Sequence, residues 1–170
     1  MFFKKRNDPE AKLKEAEEYK QRGVNFVNLG QYDKAEEAYL KCLSILEPLS
    51  RKSEPEAVMQ ERAVVYNLLS LLRMGKNTTK EKLNEAAGWA KKAVEINEKL
   101  VAKKRTPDLL DKLAYSYSNL GYAAGDFFAG NKALEMWTEL QKSYPINPVF
   151  ADRVERQKRL LQQMAQEYGL

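Results

Sequence analysis

Apolar residues recur along this chain at intervals of three and four, the spacing that lines one side of an α-helix. Tyr19, Phe26 and Leu29 mark a first helix, and Ala35, Ala38, Tyr39, Cys42, Leu43 and Leu46 a second. Val65, Leu68, Leu69 and Leu72 mark a third. Ala86, Trp89, Ala90, Ala93 and Ile96 mark a fourth. Nowhere do apolar and polar residues alternate for long enough to suggest a strand. Asp8-Pro9, Thr106-Pro107 and Asn147-Pro148 each set an N-cap acceptor ahead of a proline at the first helical position, where its missing N–H costs nothing. Thr78 with Glu81 reads as a capping box, and Gly30, Gly75, Gly125 and Gly130 stand where helices should stop. The pattern predicts an all-α chain of seven helices, over 9–29, 32–50, 55–74, 79–104, 107–125, 130–143 and 148–168. Residues 1–8 read as a flexible basic N-terminus.

From Ala16 the chain runs AEEYKQRGVNFVNLGQYDKAEEAYLKCLSILEP. Tyr19 and Phe26 hold large aromatic positions, with the small Gly23 between them and Gly30 at the turn. Tyr32 opens the next helix, followed by Ala35, Tyr39, Cys42 and then Pro48. This segment resembles a tetratricopeptide repeat. A third copy matches at Tyr117, Leu120, Gly121, Ala133, Trp137 and Pro145. The middle copy matches at Tyr66, Leu69 and Ser70 and at Ala86, Ala90 and Ala93, given extra residues near Asn77-Thr78-Thr79-Lys80. The copies are spaced by about 50 residues, against ~34 for the standard unit, so helices or turns must be extended. The resemblance implies an α–α superhelix, a right-handed solenoid of antiparallel helix pairs over about 9–50, 55–104 and 107–145. Its paired helices should touch at Gly23, Ser70 and Gly121, where small side chains permit close approach.

Residues 148–168 repeat nothing. Phe150, Val154, Leu161, Met164, Ala165 and Tyr168 form one stripe, and Arg153, Arg156, Lys158 and Arg159 take the remaining faces. Such a helix is expected to cap the apolar end of the last pair.

In the tetratricopeptide family the first helices of successive pairs line a concave groove. Projected onto the matched positions, that groove takes Lys20, Val24, Val27 and Asn28 from the first copy. Val64, Asn67, Leu71 and Met74 come from the second, and Tyr115, Ser118, Tyr122 and Asp126 from the third. Its mixture of aliphatic groups, tyrosines and asparagines suits a peptide or helix with apolar anchors. The competing expectation is that Val24, Val27, Leu71 and Met74 are packed beneath neighbouring helices. Family members that grip a chaperone's C-terminal carboxylate use a lysine and asparagine clamp. Here Lys20 fits, whereas Val24, Leu68, Tyr115 and Asn119 occupy the other positions, which argues against that ligand.

Composition narrows the chemistry. The chain has 170 residues, is 44% hydrophobic and 31% charged, and contains no histidine and one cysteine. Histidine acid–base catalysis, Ser-His-Asp triads and histidine metal sites are excluded, and a lone Cys42 can form no internal disulfide. Cys42 falls on a small-residue packing position and reads as a structural thiol. Glu17, Glu18, Glu36, Glu37, Asp108 and Asp111 lie on helix faces where acids are solvated or paired with lysines. No phosphate loop, zinc spacing or nucleophile elbow is present, and no cofactor is implied. The formal charge of +5 is spread along the chain. With Lys20 set against Glu17 and Asp126, no basic stripe suited to nucleic acid lines the groove. The first residues place their basic cluster after the apolar ones, the reverse of a secretory signal, and no apolar run is long enough to span a membrane. The expectation is a cytoplasmic, non-catalytic adaptor. A self-associating scaffold is the alternative, followed by an RNA-binding helical repeat.

Overall fold

Helix starts are set by side chains that accept the first free backbone N–H groups. Thr106 accepts from the Leu109 N–H at 3.3 Å, and Asn147 accepts from the Val149 N–H at 3.1 Å, each just ahead of a proline. The computed structural model describes residues 9–50, 55–75 and 78–167. Asp8, Asn77, Tyr168 and the basic stretch 1–8 lie outside the described residues. Among the described residues there are seven α-helices and no strand. They are α1 (Pro9–Asn28), α2 (Tyr32–Leu46), α3 (Glu56–Arg73), α4 (Lys80–Lys103), α5 (Pro107–Ala124), α6 (Phe127–Ser143) and α7 (Pro148–Glu167). A 3-10 turn, Glu47–Ser50, follows α2. None of these helices is long and apolar enough to cross a membrane.

Two punctuation marks act differently from the expectation. Thr79, not Thr78, caps α4: its backbone is extended and its hydroxyl accepts from the Lys82 N–H at 3.3 Å. Thr78 instead donates to the carbonyls of Arg73, at 2.9 Å, and Gly75, closing the end of α3. Gly130 stops nothing and lies inside α6, which starts at Phe127 because Asp126 caps it. The true stop is Gly125, whose φ of 64 allows the left-handed turn that ends α5.

Consecutive helices joined by short turns lie alongside one another as antiparallel pairs, α1 with α2, α3 with α4, and α5 with α6. Next, α4 packs broadly on α5, and α7 lies against α6 and touches α5; α2 meets α3 over a smaller area. Two of the expected close approaches are present, and the third position is buried. A Cβ on Gly23 would collide with the Tyr39 ring, Ser70 is fully buried, and a Cβ on Gly121 would come within 2.7 Å of the Gly130 nitrogen. The core divides into two clusters. One runs through Tyr39, Leu46, Val65, Leu69 and Leu100 of α2, α3 and α4, and the other through Leu113, Tyr117, Trp137, Leu140 and Val154 of α5, α6 and α7. Helix α4 serves both, giving Ala93, Ile96 and Leu100 to the first and Val94 to the second. Each large aliphatic side chain buried this way contributes about 1.5–3 kcal/mol. Trp89 stacks on Tyr66 with ring centroids 5.7 Å apart and so fills the gap between α3 and α4. Cys42 is buried, and burial pushes its thiol up to about 12, so it packs as a small protonated side chain.

Candidate functional site: the inner face of α1, α3, α5 and α7

First helices of the successive pairs present one side away from their partners, as their apolar positions exceed what pairing consumes. On α1 these are Val24 and Val27, on α3 Val64, Leu68 and Leu71, and on α5 Tyr115 and Tyr122. Three cavities run along this side. One of about 640 Å³ lies between α1, α2 and α3, one of about 270 Å³ between α3 and α5, and one of about 450 Å³ between α3, α5 and α7. Leu71 lines all three and is 39% exposed, so the cavities adjoin as a trough around an exposed leucine.

Of the residues expected in the groove, Val24 and Val27 line the first cavity and Val64 the second. Met74, Ser118 and Tyr122 line the third, and Tyr115 lines the second and third. The expectation that Val24, Val27, Leu71 and Met74 are packed away holds in part: Val24 and Val27 are half-buried and pack against the first hydrophobic cluster, Met74 is half-buried, and Leu71 is exposed.

Three expected residues are committed elsewhere, and a fourth, Asn28, lies away from the cavities. Asn67 borders the second cavity but is only 6% exposed, because its amide belongs to a buried network. It donates to Ser116 Oγ at 2.8 Å and accepts from Asn119 at 3.2 Å; Asn97 donates to the same Ser116 oxygen at 2.9 Å. These polar groups tie α3, α4 and α5 together, as buried polar atoms must find partners. Lys20 is held by Glu17 at 2.5 Å and Glu61 at 2.6 Å. Burial opposes its charge, yet the two carboxylates leave the ammonium above its ordinary value. Asn28 is exposed at the end of α1 and lines none of the three cavities. Asp126 accepts from the N–H groups of Phe128, at 2.9 Å, and Ala129, at 3.1 Å. Asp126→Ala should therefore cost about 1 kcal/mol in a urea melt, the usual value of an N-cap, without altering the trough.

Helix α7 supplies what the repeat pattern missed. Its buried side includes Gln157, 1% exposed, which accepts from Ser118 Oγ at 2.6 Å and donates to the Gly130 carbonyl at 3.0 Å. Arg153 lies 5.3 Å over the Tyr115 ring and 5.8 Å from the Trp137 ring, with Nε 3.5 Å from Asp111. Asp111 also accepts from Trp137 Nε1 at 2.6 Å. This cluster clamps α7 across α5 and α6. Arg156, Arg159 and Leu160 then complete the wall of the third cavity. The spacing of 153, 156, 160 and 163 is itself helical, and that second stripe was the available signal.

Charge is distributed unevenly along the trough. Around the first cavity Arg73 pairs with Glu36 and, at 2.8 Å, with Glu85. Arg153, Arg156 and Arg159 line the third, and among the described residues no carboxylate does. Groups of acidic or thiol side chains able to hold a metal are absent among the described residues. No protein-family model matches the chain, and no curated protein matches its sequence.

Proposed function

We propose that this chain is a non-catalytic protein-interaction module of the tetratricopeptide type. It binds a peptide or a helix, with apolar side chains as anchors, along the trough formed by α1, α3, α5 and α7. The observation that carries this reading is Leu71, an exposed leucine shared by three adjoining cavities, with Val24 and Val27 to one side and Tyr115 and Tyr122 to the other. Apolar seats flanked by tyrosine hydroxyls suit a partner that buries a few large side chains and pairs its backbone nearby.

Selection of displayed random twelve-residue peptides on the full chain tests the reading. Peptides should be enriched, and Leu71→Lys or Tyr122→Ala should weaken the selected binders by about tenfold or more, the loss of a moderate anchor. Neither change should lower the melting temperature by more than a few degrees, since Leu71 is exposed and Tyr122 half-buried. Failure to enrich any peptide, or binders indifferent to both substitutions, would overturn it.

A further inference from the structure

We infer that the segment of ligand lying over α5 and α7 is an acidic peptide segment, with aspartate or glutamate beside an apolar anchor. This rests on the trough being the binding surface and adds the chemistry of one end of it. Among the described residues three arginines and no carboxylate line the third cavity, and Leu71, Met74, Tyr122 and Leu160 give it an apolar and aromatic share beside the amides Asn119, Gln157 and Gln163. The arginines divide by their engagements. Arg153 is spent within the protein, over Tyr115 and Trp137 and beside Asp111. Among the described residues Arg156 makes one ion-pair contact, 3.6 Å from Asp152, with both side chains largely exposed. Arg159 has no hydrogen bond or ion pair among the described residues and acts on Glu155 only through space.

Two guanidinium groups without strong partners thus stand beside an apolar seat. Guanidinium forks match carboxylates in two-point geometry, and the nearby acids Asp152 and Glu155 lie on α7 outside the lining of the cavity. The rest of the trough disfavours a phosphate backbone as occupant. Val24, Val27, Leu68 and Leu72 line the first cavity together with the acids Asp33 and Glu36, and of its two basic residues Arg73 is neutralised by Glu36 and Glu85, which leaves Lys82 alone. A nucleic acid needs basic groups along its whole track. An acidic peptide with an apolar anchor needs them at one end.

The random-peptide selection decides this when the enriched sequences are read. Peptides rich in Asp and Glu beside Leu, Phe or Trp are expected. Arg156→Glu combined with Arg159→Glu should weaken them about tenfold, the loss of two exposed ion pairs with added repulsion, while the melting temperature stays unchanged. Raising salt from 50 to 500 mM should weaken them further for the wild type than for the double variant. Enriched apolar peptides with no acidic bias, lost on Leu71→Lys but indifferent to the arginine changes, would overturn this inference and leave the trough standing. No enrichment at all would remove both. Tighter binding of single-stranded RNA than of any selected peptide, lost with the same two arginines, would also overturn it.

Discussion

Gly121→Leu should abolish the native packing of α5, α6 and α7, with a loss of about 3 kcal/mol or more in a urea melt. A Cβ at this position would lie 2.7 Å from the Gly130 nitrogen, 2.9 Å from its Cα and 3.1 Å from the Asp126 carbonyl oxygen. Backbone atoms cannot rotate aside as a side chain can, so the helices must separate. On its far side Gly130 meets Leu161, 2.8 Å from where its own Cβ would be, and Gln157, so displacing α6 also unseats α7. Even Gly121→Ala should cost about 2 kcal/mol, although alanine favours a helix by up to ~1 kcal/mol over glycine. Gly88→Ala is the control: nothing lies within 4 Å of its Cβ, so that helix preference should stabilise the protein. If Gly121→Leu melts like the parent, the backbone contact is not what holds the third pair.

Asn67→Ala is expected to destabilise the protein by about 2–3 kcal/mol rather than merely weaken a ligand. The substitution removes the acceptor of the Asn119 amide and one donor to Ser116, all in groups no more than 6% exposed. Leaving a buried amide unpaired costs about 1–3 kcal/mol, and the missing volume adds to it. Replacing both Asn67 and Asn119 by leucine should cost less than the two single changes added together, because no polar atom is then stranded between them. Additive single and double changes would show that the two amides are not coupled. Binding measured on Asn67→Ala therefore reports unfolding as well as contact, and Tyr122→Ala is the cleaner probe of the trough.

These cases show which features a sequence carries and which it hides. Helix spans were legible because Thr106-Pro107 and Asn147-Pro148 mark starts by backbone chemistry alone. Gly130 was misplaced because a glycine that ends a helix and one that admits a neighbouring helix look alike until the partner is known. Thr78 and Thr79 are adjacent and identical in type, and only the backbone conformation decides which of them caps. Asn67 and Gln157 were hidden for a different reason. Amides read as surface in a linear pattern, and burial becomes possible only when Ser116, Asn119 and Ser118 arrive from other helices to satisfy them. Projecting the tetratricopeptide resemblance onto the sequence put Val24, Val27, Leu71, Tyr115 and Tyr122 on one side, and each lines at least one of the three cavities. The arginines of α7 were not legible in this way, because they lie beyond the last copy and reach the inner face only through the clamp of Arg153 on Tyr115, Trp137 and Asp111.

Helix α4 presents one side to each of the two hydrophobic clusters, with Ile96 facing the first and Val94 the second. A partition braced from both directions acts as a keel: curvature of the array cannot change without straining close-packed side chains on either flank. On the proposed function, a ligand of the trough thus meets a surface already in shape. Little of its binding energy goes into ordering the host, and selectivity is left to the fit of individual side chains.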